Sequence, residues 1–544
     1  MGAKSAVTIR REGSGELYQP SICRQPALQY ACARGVATCF AAAAVLLTSA
    51  CSGTESSDTT PQARPNVLLI LADDLGYGDL GVYNPGSRIP TPNLDRLGAE
   101  GMRLTDAHSP SSVCTPTRYA LLTGRYAWRS RLKRGVLNGR STALLEPKRV
   151  TLPAFLRTLG YATAGIGKWH LGLGADLDPN DDTPGETDYG APLRPGPVTA
   201  GFEHYFGIPA SLDMEPYVYI EDDGVLEVAT ETVEASSMRR YGGDGYWRAG
   251  EIAPGFDFLQ VTPTLFDRAS GYLEQRAAAG DDRPFFLYLP LPSPHTPWMP
   301  LPEFEGASGA GVYGDFVAQV DAGVGRLLGA LDSLGLASNT LVLFTSDNGA
   351  HWLEADIEET GHRANGALRG QKADIHEGGH RVPFLVRWPD RIPAGSVRGE
   401  LAGLVDVFRT ITSLLEVELP EGAAEDSVDL GPVLRGEEDP QPPRGSLIHH
   451  SARGMFAIRS HQAEGMDAPR KWKLIEGLGS GGFTEPRQLA PKPGGAAGQL
   501  YELVADPAET NDLYLDRPDI VERLTAELEA IRGADAAPLA PPER

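Results

Sequence analysis

The chain has 544 residues and a formal net charge of -23, long enough for a large core and more than one structural unit. Hydrophobic residues at 41% and charged residues at 22% describe a globular chain and exclude both a disordered and a membrane-embedded one. The acidic balance argues against nucleic acid as a partner, because phosphates need a basic face, and any anion site here must be locally basic.

Five cysteines are present: Cys23, Cys32, Cys39, Cys51 and Cys114. From Val36 to Ala50 the chain is mostly small and apolar, with Arg24 and Arg34 upstream. That stretch is too short for a comfortable membrane span and has the anatomy of a secretory signal, so residues 1–50 are read as one. Leu47-Thr48-Ser49-Ala50-Cys51 resembles a bacterial lipoprotein box, with Thr48 where Leu is usual. Cys51 would then be the lipidated first residue and the only membrane attachment. The expectation is an exported protein, periplasmic or membrane-anchored, otherwise secreted. Residues 51–65 are Ser/Thr/Asp-rich and read as a flexible tether. Without the signal no cysteine pair remains, so the fold cannot rest on disulfides.

Asn66-Val67-Leu68-Leu69-Ile70-Leu71-Ala72 is a continuous apolar run, the pattern of a strand buried on both faces, and it ends in Asp73-Asp74. The arrangement recurs at Tyr161–Gly167 before Lys168-Trp169-His170, at Phe285–Leu289 before Ser293-Pro294-His295, and at Leu341–Phe344 before Thr345-Ser346-Asp347-Asn348-Gly349. Helical spacing lies between, in Leu152, Phe155, Leu156 and Leu159, and in Phe316 through Leu331, ended by Gly335. Alternation of this kind predicts an α/β fold with a large, mostly parallel sheet sandwiched by helices, whose ligands bind beyond the carboxyl ends of the strands. Leu404–Leu415 predicts a further helix, and the acidic, Pro/Gly-rich stretch 421–445 a boundary. Residues 66–435 are therefore expected to form the catalytic unit. Residues 436–544 are expected to form a small α+β subdomain, an antiparallel sheet from Met455–Ile458, Trp472–Ile475 and Leu500–Val504 plus a helix through Ile520, Leu524 and Leu528.

Asp73, Asp74, Asp347 and Asn348 offer hard oxygen ligands from two strand ends, which select Ca²⁺ or Mg²⁺ over zinc. Adjacent aspartates after a strand also serve as caps and turns. Arg118, Lys168, His170, His295 and Lys372 are the accompanying basic residues. Singly each reads as a solvated charge or a satisfied histidine, and together they can hold an oxyanion and move protons. Two glycines in Glu377-Gly378-Gly379-His380 predict a tight turn behind the site. Cys114 precedes Thr115-Pro116, read as the N-cap and first residue of a short helix that Gly124 closes. It is either a buried structural thiol or a reactive one beside a helix N-terminus.

Cys114-Thr115-Pro116-Thr117-Arg118, running on to Leu122-Thr123-Gly124-Arg125, resembles the signature of the type I, formylglycine-dependent sulfatases. These are arylsulfatase-A-like members of the alkaline phosphatase superfamily. Asn66–Gly78, Thr91–Leu97, Gly167–Gly172, Gly201-Phe202, Thr345–Gly349 and Leu500–Leu503 resemble family segments in the family's order. Thr117 stands where Ser is common. The resemblance implies that a separate formylglycine-generating enzyme oxidises Cys114 to formylglycine, whose hydrated aldehyde is the nucleophile. It implies one Ca²⁺ held by Asp73, Asp74, Asp347 and Asn348 against residue 114, with Arg118 stabilising the diol. Lys168 and Lys372 would bind sulfate oxygens, and His295 or Lys372 would protonate the departing alcohol. His170 would take the second hydroxyl's proton as sulfate is expelled. Ser211 falls where a hydroxyl lies near the sulfate.

The implied substrate is a small sulfate ester, an aryl sulfate or a sulfated sugar in the first place, with steroid sulfates equally compatible. The alternatives are a related phosphomonoester or phosphodiester hydrolase, and an inactive lipoprotein that binds sulfated ligands. Specificity is expected in the loops Asp176–Ala200, Leu212–Tyr219 and His351–Asn365. There Tyr217, Tyr219, His351 and Trp352 either stack on a ring or pack. The run Asp176–Asp182 offers carboxylates for a second Ca²⁺ but lacks an EF-hand's glycine and terminal Glu.

Overall fold

The strand Asn66–Ala72 forms as its apolar run predicts, and its side chains divide by period two between the faces of a ten-stranded sheet. Val67, Leu69 and Leu71 enter one core, and Leu68, Ile70 and Ala72 enter the other. The computed structural model describes residues 64–174, 186–236, 246–438, 443–462 and 470–533. The apolar segment Val36–Ala50, Cys51 and the acidic run Asp176–Asp182 lie outside the described residues.

Numbered along the chain, the main-sheet strands are β1 (Asn66–Ala72), β2 (Met102–Leu104), β3 (Ala162–Lys168), β4 (His204–Ile208), β5 (Ile220–Glu221), β6 (Gly224–Val225), β7 (Phe285–Pro290), β8 (Thr340–Ser346), β9 (Phe384–Arg387) and β10 (Ser396–Arg398). Their spatial order is β10-β2-β9-β8-β1-β7-β3-β4-β5-β6. The five central strands, β8 through β4, are parallel. Antiparallel pairs flank them at β8–β9 and β4–β5. One face is covered by Cys114–Thr123, Leu152–Thr158 and Val407–Leu414, the other by Val261–Ala278 and Gly311–Ser333. Helices on both faces explain why the central strands are apolar throughout rather than alternating.

The C-terminal part adds a four-stranded antiparallel sheet, Ser446–His450, Phe456–Gln462, Arg470–Ile475 and Gln499–Glu502, packed by the helix Pro518–Gly533. Its first strand escaped the sequence reading because Ser446-Leu447-Ile448-His449-His450 has too few apolar residues to show a period. All ten residues of the helix Cys114–Thr123 are buried. Leu121 and Leu122 face the main core, and Ala120 faces the C-terminal one.

A buried charged seam joins the two sheets. Arg459 donates to Asp106 at 2.6 Å, and Lys473 pairs with Glu377 at 3.2 Å and Glu509 at 2.9 Å. His108 and His380 meet Nδ1 to Nδ1 at 3.0 Å, and the His380 ring stacks on His449 at 3.9 Å. Burial and the neighbouring Arg459 push His108 down to about 3, and burial pushes His450 down to about 4. The unfolded chain therefore binds more protons than the folded one from about pH 6.5 downward, and stability falls with pH through that window. Thermal unfolding should show a midpoint that is highest near neutrality and drops steadily from pH 6.5 to pH 4. A level profile over that range would contradict the assignment of neutral, buried imidazoles.

Candidate active site

The register of the central strands assembles the site. Ala72 of β1 lies opposite Ser346 of β8, so Asp73-Asp74 and Asp347-Asn348 leave the sheet side by side. Asp74 N–H donates to Asp347 Oδ1 at 3.3 Å, and Asn348 Nδ2 donates to Asp74 Oδ1 at 2.7 Å. On the other side of β1, Asp73 N–H donates to Ser293 O at 3.1 Å, which draws in the loop carrying His295. Lys168 is the last residue of β3, and Ser211 follows the end of β4. Lys168 Nζ donates to Asp73 Oδ2 at 2.5 Å and to Ser211 Oγ at 2.7 Å.

Cys114 enters from the covering layer. The segment before it runs along the C-terminal sheet, where Ser112 N–H donates to His450 O at 3.1 Å and His450 N–H to Pro110 O at 3.2 Å. The helix starts at Cys114 itself, with Val113 as an extended N-cap, two residues earlier than the Thr115-Pro116 pattern predicts. Thr115 Oγ1 instead accepts from Leu137 N–H at 3.2 Å. Gly124 closes the helix at φ 64°, its N–H on Ala120 O. Donor atoms of Cys114, Asp73, Asp74 and His295 lie within 4.8 Å of one another. Burial pushes the Cys114 thiol up to about 12 despite Lys168 and Lys372, so an unmodified thiol is protonated and a poor nucleophile at neutral pH.

One helical turn on, Arg118 reaches across the rim. Its Nε and Nη2 both donate to Asp347 Oδ2, at 3.0 and 2.8 Å, and Nη1 donates to Lys168 O at 3.0 Å. Lys372 Nζ donates to Asp74 at 2.8 Å. Burial opposes ionisation of Asp73, but Lys168, His295 and Arg118 overcome it and hold the carboxyl below the usual range. Burial and the charge of Asp73 raise Asp347 to about 7.

His170 is fully buried at φ 55°. Its Nε2 faces Leu137 O at 2.8 Å, while Nδ1 has no partner. Burial and the nearby Lys168 and Arg118 keep the ring neutral, so Nε2 donates and Nδ1 is a free acceptor. His295 Nδ1 donates to Thr296 O at 2.6 Å, which leaves Nε2 facing Asp74 at 3.8 Å. Every predicted site residue thus meets the others at one rim. The Gly378-Gly379 pair does not make a tight turn but lies in a one-turn helix, Glu377–His380, whose Gly379 O accepts from Gly349 N–H at 3.0 Å.

Sequence reasoning missed the supports. Asp79 accepts from Gly76 N–H at 2.7 Å and pairs with His362 at 2.7 Å, bracing the turn after Asp73-Asp74. Asn365 bonds Ala350 through both ends of its amide. Asp374 ties the loop 480–484 of the C-terminal part to the Lys372 segment. No local pattern marks these residues, because each acts on a segment distant in the chain or on loop backbone.

A parallel rim of carboxylates and cations closed by a helix-borne cysteine is suited to binding and hydrolysing an anionic ester. The sulfatase family model matches residues 65–417. An N-acetylgalactosamine-6-O-sulfatase of Bacteroides thetaiotaomicron is 31% identical, over 90% of this chain and 97% of that protein. Arylsulfatase A of Bos taurus is 38% identical over 73% of each. A solved structure from work on glycosaminoglycan metabolism by Bacteroides thetaiotaomicron superposes with a TM-score of 0.74 at 31% identity, covering 87% of this chain and all of the other. The chain belongs to the sulfatase family and is a sulfuric ester hydrolase.

Removing one partner of a buried ion pair strands the other. Arg118→Ala should therefore cost about 3–5 kcal/mol in urea unfolding. Arg118→Lys should recover only part of this, because an ammonium cannot reach Asp347 and the Lys168 carbonyl together. Equal stability of the alanine variant and the parent would refute the pairing.

Proposed function

We propose that the enzyme cleaves its sulfate ester with a formylglycine at position 114 and one calcium ion held by Asp73, Asp74, Asp347 and Asn348. The observation that carries this reading is a pair of orphaned oxygens. Asp73 Oδ1 and Asn348 Oδ1 are buried without a hydrogen-bond partner beside Cys114, which is costly unless a cation satisfies them. The donor set is all hard oxygen, as calcium prefers. The charge balance agrees. Arg118, Lys168 and Lys372 are already matched by Asp347, Asp73 and Asp74, so a buried sulfate would bring negative charge that a divalent cation offsets.

Bound there, calcium would supply Lewis-acid charge, and the hydrated aldehyde of formylglycine would supply the attacking hydroxyl. The chain's own residues divide the remaining work. Lys168, Ser211, His295 and Lys372 bind and orient the sulfate oxygens, and Arg118 fixes Asp347 and steadies residue 114. His170 accepts a proton at Nδ1. His295 and Lys372, each 7% exposed, stand where the alcohol leaves, and one of them protonates it. Cys114 is only 2% exposed, so a separate formylglycine-generating enzyme would need the segment before the helix folds.

The substrate we propose is small and ring-borne, an aryl sulfate or a sulfated sugar, the latter in keeping with the N-acetylgalactosamine-6-O-sulfatase relative. We further infer export, with lipidation at Cys51.

Peptide mass spectrometry across residue 114 should find an aldehyde in protein from cells that hold the maturation enzyme, and Cys114→Ala should lower turnover on the order of 10³-fold or more. An active enzyme with an intact thiol would sink the formylglycine reading. Chelation should abolish turnover and lower the thermal midpoint, and calcium should restore both. Full activity in excess chelator would remove calcium from the mechanism.

A further inference from the structure

Three of the four aromatic rings singled out for stacking are taken up by packing. Tyr217 is buried, its hydroxyl donating to Arg248 O at 2.8 Å. Tyr219 stacks on Phe206 at 5.1 Å, and Trp352 packs against Tyr313 at 4.8 Å. His351 differs. It is half-buried, and its ring lies 5.1 Å from that of Phe483, a residue of the C-terminal part that is 43% exposed.

Both rings lie on segments bonded to the one that carries Lys372. Arg118, Lys168, His170, Asp347 and Asn348 are wholly buried, whereas Lys372 and His295 keep some exposure, so the site opens beside them. Lys372 N–H donates to Ala350 O at 3.0 Å, which places His351 one residue from that contact. Two residues beyond Lys372, Asp374 accepts from the backbone N–H of Phe483 at 2.8 Å and of Thr484 at 3.0 Å, and from Thr484 Oγ1 at 2.5 Å. Ile375 N–H donates to Ser480 O at 2.8 Å. A Cβ on Gly482 would lie 2.2 Å from Ala373 O, so only glycine lets the loop come this close. Phe483 is therefore an exposed aromatic ring whose backbone is pinned to the segment that carries Lys372.

We propose that Phe483 and His351 form a stacking wall for the ring that bears the sulfate ester, with Asp374 as the positioning residue that sets the wall against Lys372. The wall takes a flat or C–H-faced ring, and both an aryl sulfate and a sulfated hexosamine present one. The inference rests on the sulfatase reading of the same site.

The test separates the two. Turnover is measured on 4-nitrophenyl sulfate, N-acetylgalactosamine 6-sulfate and propyl sulfate, which has no ring. Binding of the same three esters is measured by calorimetry in the Cys114→Ser background, independent of turnover. Phe483→Ala should raise KM and Kd about tenfold for a ring ester, with kcat within about twofold and propyl sulfate unchanged. Phe483→Trp should restore the parent values. Asp374→Asn, which keeps the size of the side chain, should raise KM in the same pattern. A rise confined to the aryl ester assigns a planar ring, and one confined to the hexosamine assigns a sugar face. Ring-ester affinity unchanged in Phe483→Ala, or lost equally for propyl sulfate, overturns the wall. Parent protein that binds ring esters through Phe483 yet never turns them over would sustain the wall and defeat the proposed chemistry.

Discussion

The register between β1 and β8 is the constraint from which the site follows. Pairing Ala72 with Ser346 brings two acidic dipeptides together at one strand edge, where each carboxylate repels the next. Buried carboxylates persist only when paired. Arg118, Lys168 and Lys372 supply the pairs, and each arrives from a different element. A slip of one residue in that register would turn Asp73 to the other face of the sheet and dismantle the arrangement. The apolar alternation of β1 between two cores is what prevents the slip.

The C-terminal sheet holds the catalytic rim in place as well as closing the fold. Its first strand bonds the segment that leads to Cys114, its core receives Ala120, and its loop 480–484 is bonded to the Lys372 segment. The seam between the two sheets is charged rather than oily, with Arg459, Lys473, Asp106, Glu377 and Glu509 all buried. Such a seam is stable only with its partners aligned, so it fixes one orientation of the small sheet. Residue 114 and the loop 480–484 beside the Lys372 segment both inherit their positions from it.

Much of the catalytic rim was legible in the residues alone. Apolar runs ending in polar clusters give parallel strands whose carboxyl ends share an edge, and this holds whatever the side chains beyond them are. Asp73, Lys168, His295 and Asp347 could be found that way. The residues of the proposed stacking wall could not. Tyr217, Tyr219, His351 and Trp352 look alike as sequence, and only the fold sets Tyr217 and Trp352 in the core, packs Tyr219 on Phe206 and places His351 against Phe483. Phe483 sits in a Gly-rich stretch that reads as a spacer, because nothing local shows that Asp374, more than a hundred residues earlier, holds its backbone.

The sequence by itself determined the strand–helix alternation, the acidic strand ends and the cysteine signature, since each rests on local periodicity or adjacent residue types. Only the tertiary structure decided which charges pair, where the helix begins at Cys114, and which oxygens stay free. Those outcomes depend on distances between elements far apart in the chain, and burial makes them decisive. In water the rim's charges would be screened and interchangeable. In the core each needs its own partner, and two rim oxygens without a hydrogen-bond partner, on Asp73 and Asn348, mark where the proposed cation would bind.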